Sequence, residues 1–434
     1  MLDWIALWVL LAVICVGLAG GRMGKGGFLL AYFFGLSLIH VPGAINYLGS
    51  APGLNGFEET LVGFRATVIG LCALIVGYVS CQSGAKPDKQ SRSRKRPIAL
   101  NGERLVIAGA VAYFGVMPIA GLVPSLTALV SPLASLLVLG FIVFVRQLIE
   151  GFKSPYTPFV ILGVALLPLS TLITGGFIGF GVYWVLTIGT FAWAQSRKRW
   201  LVLLMVPFLA YAGVSIGAAY FGGRDAIREA VWFQQADFEE RFDRIAVIVR
   251  KIEPYDIENP DHIFSIDLRL NQNTLVGAGI LNHQKGNVDL LLGASVPWWT
   301  FIPRAVWPEK PLVGGGGDVV SKFTGIPFAV GTSVGAGQPL EFYANFGWWG
   351  LVVGFGALGW ILAHHDRGLA RSLLARDTRQ VLSFGLPGLA LLNSGGNLLE
   401  ICVAFVAAVI VARLIAWVLP LVFSSRRRLT KGNA

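Results

Sequence analysis

Residues 399–423 read LEICVAFVAAVIVARLIAWVLPLVF, an apolar string broken only by Glu400 near its start and Arg413 near its middle. A helix rises 1.5 Å per residue, so about 20 apolar residues cross the hydrocarbon core of a bilayer. The string therefore reads as a membrane-crossing helix. An arginine at mid-bilayer costs roughly 2.5–3.5 kcal/mol, so Arg413 is expected to face the interior of a bundle. Arg65, in a second apolar run, is expected to do the same.

Ten other runs have this character, at about 3–20, 26–41, 60–81, 104–122, 126–146, 157–173, 177–194, 200–220, 341–363 and 381–397. Only 14% of the 434 residues are charged, against roughly 25% in soluble domains, and mean hydropathy is +0.66. The expected fold is all-α: a polytopic membrane helix bundle of about 11 transmembrane helices, with one long, partly helical extracytoplasmic loop. Four units follow: an N-terminal bundle of about eight spans (1–220), the loop (221–340), three spans (341–423) and a basic tail (424–434). The first run ends in GGRMGK rather than a small-residue cleavage site, so it reads as a retained helix. Cys15, Cys72, Cys81 and Cys402 lie in or beside apolar runs and form neither a disulfide framework nor a metal signature.

The net charge of +11 would suggest nucleic acid in a soluble protein. Its distribution says otherwise. Of the 35 basic residues, 22 fall on alternate connections: Arg22 and Lys25, the run KPDKQSRSRKRP at 86–97 with Arg104, Arg146 and Lys153, 197–199, 367–379 and 426–431. The other short connections hold almost none. The positive-inside rule places the basic set in the cytoplasm, the N-terminus outside and residues 221–340 outside. No nucleic-acid partner is expected, and the 86–97 run suits anionic lipid headgroups.

The long region breaks the pattern. It carries Arg224, Arg228, Arg241, Arg244, Arg250, Lys251, Arg269, Lys285, Arg304, Lys310 and Lys322. Long loops translocate regardless of charge, so these cations need a local reason, and an anionic ligand is one. Phe238, Phe242, Ile245, Val249 and Ile252 recur at helical spacing, predicting an amphipathic helix, with Asp237, Arg241 and Arg244 on an adjoining face. GGGGD at 314–318 and GTSVGAGQ at 331–338 read as lid segments.

At 300–311 the chain reads TFIPRAVWPEKP. Pro303, Pro308 and Pro311 stiffen the backbone around Arg304, whose planar fork matches phosphate in bidentate fashion. The alternative is that Arg304 snorkels to lipid phosphates. FIPRAVWPEKP resembles the most recognisable stretch of the O-antigen polymerase (Wzy-type) family of oligosaccharide repeat-unit polymerases. Downstream, Gly331-Thr332-Ser333 and then Glu341-Phe342-Tyr343-Ala344-Asn345-Phe346-Gly347 are similar to further elements of that family. Arg241-Phe242-Asp243 and Arg269-Leu270-Asn271 occupy positions where it tends to have arginines. The likeness covers about 240–350.

The resemblance implies an inner-membrane glycosyltransferase. A glycan chain leaves its undecaprenyl pyrophosphate and joins the non-reducing end of a second lipid-linked repeat unit. The implied partners are the two lipid-linked oligosaccharides, membrane lipid and a chain-length regulator protein. Fixed cations would stabilise the departing pyrophosphate, each charged hydrogen bond contributing about 1.5–3 kcal/mol. No metal or cofactor is expected. Arg241, Arg244, Arg269, Arg304, Lys310 and Arg65 are the phosphate-binding candidates. Glu341, His283 and Asp318 are the candidate catalytic groups, with His262, Asp267 and Asp289 behind them. Tyr343 and Asn345 are candidates for holding sugar hydroxyls or for anchoring at the interface. Glu400 is placed near the outer end of the last span, where it could pair with Arg65.

Three other readings are open. A ligase would use the same donor and another acceptor. A metal-dependent polyprenyl-phosphate-sugar transferase would use paired acids near Glu58-Glu59. A lipid-linked-sugar flippase would show repeated halves with broken helices and midplane polar groups; neither is visible in the sequence, and the long outer loop is unnecessary for transport.

Overall fold

The computed structural model describes residues 1–20, 27–48, 55–83, 100–120, 124–196, 199–229, 238–294, 316–328 and 334–429, with the single positions 296, 302, 306, 307, 309 and 332. Every regular element among them is helical. The chain is an all-α polytopic membrane bundle. Its first half holds α1 (Leu2–Gly20), α2 (Phe28–Asn46), α3 (Phe57–Ser83), α4 (Gly102–Ala110), which runs through a π turn into α5 (Met117–Ala120), α6 (Pro124–Ile149), α7 (Thr157–Ala165), α8 (Leu167–Gly175), α9 (Ile178–Gln195) and α10 (Arg199–Arg228). Then come α11 (Phe238–Val249), α12 (Pro260–Leu270), α13 (Gln272–Gln284), α14 (Gly316–Thr324), α15 (Gly337–Ala375), α16 (Thr378–Ala390) and α17 (Leu398–Leu429).

Among the described residues, seven helices are long and apolar enough to cross a membrane, and the pair α7–α8, bent by 52°, makes up to eight. The remaining expected spans fall on α9, α10 and α16. The expected span at 381–397 is helical only as far as Ala390.

Close helix contacts set the order. A Cβ on Gly77 would stand 1.9 Å from the Gly356 carbonyl, and one on Gly359 would stand 2.0 Å from that of Leu74. Only glycine admits backbones this close, as in small-residue interfaces of membrane helices. Contacts rise together along α3 and α15, so these two helices run parallel, while α2 runs against both. The bundle thus has a loop end, bearing Asn46, Phe57 and the start of α15, and a basic end, bearing Ser83, Arg367 and Arg376.

Two buried acids on α15 close helix N-termini at opposite ends. Asp366, with no exposed surface, accepts from the Phe28 and Leu29 amides at 2.9 and 3.3 Å and from the Tyr78 hydroxyl at 2.9 Å. Glu341 Oε1 accepts from the Leu398 amide at 2.9 Å. Each satisfies orphan donors and sits where the helix dipole favours negative charge.

Three irregular pieces interrupt the bundle toward the loop end. The first is a break in α15 at Phe346 (φ −142°, ψ 20°) and Gly347 (φ 62°, ψ −147°), the second pair being a conformation that only glycine adopts cheaply. The second is 391–397, between α16 and α17. The third is the α12–α13 hairpin, which re-enters the bundle. Its descent follows α2: the Ile263 carbonyl accepts from Asn46, Asp267 from Tyr47, and Asn273 makes two bonds of 2.7 Å with His40. Six residues of α2 separate Asn46 from His40, a depth of about 9 Å. The return follows α3, with Thr274 on Thr60 at 3.3 Å and Gly277 against the Glu59 backbone.

Amide side chains repair the broken backbone. Gln272, at the hairpin tip, donates to the carbonyls of Gly335 and Gly395. Gln338 donates to the Asn393 carbonyl and receives the Tyr32 hydroxyl. Non-helical backbone at membrane depth persists only where protein groups satisfy it in this way.

Arg65 and Arg413 do not face the interior: both side chains are exposed. Arg65 lies 5.2 Å over the ring of Trp4, on the face of α3 opposite the one that packs on α13. Both have long apolar stems that let the charge reach out of the bundle, which removes the reason for burying them. Glu400 is exposed and accepts from Asn397 at 3.2 Å, so it makes no pair with Arg65.

Candidate functional site

At the loop end, α8, α10 and α11 share a small apolar core of Leu172, Tyr220, Ile227, Ile245 and Ile248. Tyr220, Arg224 and Ile227 stand at i, i+4 and i+7 on α10, so Arg224 rides on the buried face. The residue as a whole is 8% exposed, and among the described residues no hydrogen bond or ion pair reaches it, while its guanidinium nitrogens are not among the fully buried unpartnered polar atoms and so keep contact with solvent. Arg269, at the last turn of α12, lies within electrostatic range and adds repulsion to the cost of burial, which the Asp225 charge partly offsets. A buried charge without a paired counter-charge is costly. A like-charged neighbour makes it more so.

The other predicted cations divide. Arg241 Nη1 donates to the Ile173 carbonyl at 3.2 Å, closing the C-terminal turn of α8, where cations are favoured. Arg244 pairs with Glu240 at 2.7 Å, an exposed i,i+4 pair of small energetic weight. Of the predicted amphipathic face of α11, Ile245 packs inward together with Ile248, while Phe242, Val249 and Ile252 are exposed. Arg304 and Lys310 lie outside the described residues.

A second cluster stands at the far end of α13. His283 Nδ1 lies 2.8 Å from the Val288 carbonyl. A carbonyl only accepts, so Nδ1 carries the proton, and in the neutral ring Nε2 is the acceptor. The imidazole stacks on Phe323 at 6.2 Å and meets Tyr343 edge-on at 6.0 Å. Tyr343 also touches Phe323 and Trp348. Two of the predicted site residues, His283 and Tyr343, are thus neighbours, one from α13 and one from the short piece of α15 before its break. Asn345 Nδ2 donates to the Glu341 carbonyl at 2.7 Å, a bond within that same piece. Asp318 is exposed in the first turn of α14. His262 Nδ1 accepts from the Asp256 amide at 3.1 Å.

The hairpin supplies a third network, built of amides, hydroxyls and one carboxyl. Asn271 donates to Asp267 at 2.7 Å and to Thr60 at 2.9 Å, and Asn273 donates to Asn271 at 3.0 Å. Burial lifts the Asp267 carboxyl above its usual range, and bonds from Asn271 and Tyr47 pull it partly back. Among the described residues, no group of three His, Cys, Asp or Glu is placed to hold a metal ion.

Comparison with known protein families, curated proteins and solved structures gives no match. The site is therefore argued on its geometry. Arg224 had no distinguishing mark among the loop's basic residues beyond its i+4 relation to Tyr220. Gln272 and Gln338 carried no local signal, because their partners lie 123 and 55 residues away.

Proposed function

We propose that the chain is an inner-membrane polymerase that joins undecaprenyl-pyrophosphate-linked repeat units into a surface polysaccharide, with its loop end extracytoplasmic. The observation that carries this reading is the buried Arg224 beside Arg269. A doubly charged pyrophosphate between them would relieve both the burial and the repulsion, and a departing pyrophosphate develops the charge that fixed guanidinium groups stabilise. The acceptor hydroxyl oxygen attacks the anomeric carbon of the donor sugar. The bond from that carbon to the pyrophosphate oxygen breaks, and its electron pair leaves with the pyrophosphate. The hydroxyl proton passes to a base, for which His283 Nε2 is the oriented candidate.

Gln272 and His283, near the two ends of α13, are about 17 Å apart along the helix. Arg269 and His283 therefore act on one bond only if the pyrophosphate and the sugar bridge that distance. Glu341 is committed to the N-terminus of α17 and is not assigned the base. The family likeness of FIPRAVWPEKP and of Glu341 to Gly347 supports the same activity.

Binding of a short-chain prenyl pyrophosphate to the protein in nanodiscs tests the reading. Arg224→Ala is expected to weaken binding by 10-fold or more at unchanged protein yield, since a charged hydrogen bond contributes about 1.5–3 kcal/mol. Unchanged affinity would refute it. A flippase is the second reading, favoured by a re-entrant hairpin that packs on the broken helix α15, since broken helices are a trait of transporters. Flux of lipid-linked glycan across vesicles without any lengthening of the chain would establish it instead.

A further inference from the structure

His40 has no exposed surface, and its partners fix where its proton sits. Asn271 Nδ2 faces the Asp267 carboxylate at 2.7 Å and the Thr60 hydroxyl at 2.9 Å, so Asn271 Oδ1 is left to accept. Asn273 Nδ2 donates to that oxygen at 3.0 Å and to the His40 carbonyl at 2.7 Å. Both partners only accept, so the Asn273 amide is fixed and its oxygen lies against the ring, 2.7 Å from Nδ1. Nδ1 therefore carries the proton, and Nε2 of the neutral ring is an acceptor. No donor reaches it. At the same hairpin tip, Gln272 gives its Nε2 to the carbonyls of Gly335 and Gly395, and its Oε1 is a second acceptor shut off from solvent without a donor. Asp267 has the opposite need. Burial lifts its carboxyl, and among the described residues no ion pair reaches it.

We propose that His40 Nε2 is a proton-binding site and that Asp267, acting through Asn271 and Asn273, supplies its counter-charge. The four side chains form one directed chain. His40 donates to Asn273, Asn273 to Asn271, and Asn271 to Asp267, so every link points toward the carboxylate and the links reinforce one another. One proton turns Nε2 from a bare acceptor into a donor. It brings a donor to the hairpin tip, where Gln272 Oε1 has none, and it gives the Asp267 carboxylate a cation at the far end of the chain. A buried imidazolium without that counter-charge would be costly. The proton comes from hydronium on the loop side, which leaves as water, and the only bond formed is Nε2–H. Ionisable groups held inside a membrane bundle in this way mark proton relays. The other ionisable groups on helices packed against α2 are engaged elsewhere or lie apart. Asp366 is bound at the opposite end of α2 and Glu341 at α17. Arg65 lies over Trp4, Tyr183 donates to Gly35, and Asp3 and Arg269 are exposed. Glu59, near Tyr47, is the other acid at this end of α2. Asn273 grips His40 by both ring and carbonyl, and a charged donor makes the stronger bond, so proton uptake seats the hairpin more firmly on α2. The inference goes beyond the polymerase reading and does not rest on it.

The test follows the imidazole nitrogens by NMR in the full-length protein, with its histidines labelled with nitrogen-15, in lipid nanodiscs from about pH 8 to about pH 5. His40→Gln identifies the His40 signals, and unmoved signals from the other histidines show that the fold is kept. Asp267→Asn keeps an acceptor for Asn271 and Tyr47 and removes only the charge. In wild type, Nδ1 should be protonated throughout, with Nε2 bare at the upper end of the range and protonated at the lower end. In Asp267→Asn the ratio of charged to neutral ring at the lower end should fall by roughly 10-fold. A ring that stays neutral over the whole range would overturn the proposal, and a water found donating to Nε2 would then identify the occupant. A neutral ring protonated on Nε2, or a ratio unchanged by Asp267→Asn, would overturn it too. Each of these results leaves the reading of Arg224 untouched.

Discussion

Single residues carry the account at three places. Arg224 is the first: the chain spends stability to bury a guanidinium beside Arg269. Arg224→Leu should therefore raise the thermal midpoint of the unliganded protein while abolishing activity, because replacing a buried charge by a packed apolar group is often neutral or stabilising. A lowered midpoint would mean that Arg224 is structural. Glu341 is the second. Glu341→Gln keeps an acceptor for the Leu398 amide and is expected to fold and work. Glu341→Ala should lose about 1–2 kcal/mol, the usual scale of a helix N-cap, read as a lower unfolding midpoint in detergent. An inactive but fully stable Glu341→Gln protein would return Glu341 to the chemistry. Gly347, at φ 62° and ψ −147°, is the third. Alanine there should cost about 1–3 kcal/mol by the same measurement.

Among the elements, the long apolar runs were legible in the sequence and the broken ones were not. The runs at 3–20 and 60–81 correspond to α1 and α3 because continuous hydrophobicity encodes a crossing helix locally. The α12–α13 hairpin escaped, since PDHIFSIDLRL and QNTLVGAGILNHQ are too short and polar to cross and read as loop. The one local trace was Gly277 and Gly279, and a Cβ on Gly277 would lie 1.8 Å from the Glu59 carbonyl. Gly277→Leu should therefore push α13 off α3 and abolish activity. Cysteines introduced at Thr60 and Thr274, whose hydroxyls lie 3.3 Å apart, should crosslink in wild type and fail to do so in that variant. Retained crosslinking and activity would show that the hairpin is not seated between α2 and α3. The candidate site was half legible. The types of His283 and Tyr343 and the presence of arginines were readable, but which arginine is buried depends on α8, α10 and α11 packing together.

At the scale of the molecule, the packing gives one frame with two distinct ends. Parallel α3 and α15, the antiparallel α2 and the two carboxylate caps form a rigid frame. The hairpin, the α15 break and 391–397 gather in its loop half. On the proposed topology a reporter fused at Gly286 reads extracytoplasmic, and reporters at residues 90 and 370 read cytoplasmic. The most direct test of the central claim is in vitro polymerisation of a purified undecaprenyl-pyrophosphate-linked repeat unit, following glycan length and released undecaprenyl pyrophosphate together. The wild-type protein should produce both in step. Arg224→Lys, which keeps the charge and loses the fork, should cut both by 10-fold or more at equal protein. Movement of the lipid-linked unit across the membrane with no longer glycan and no released pyrophosphate would contradict the account.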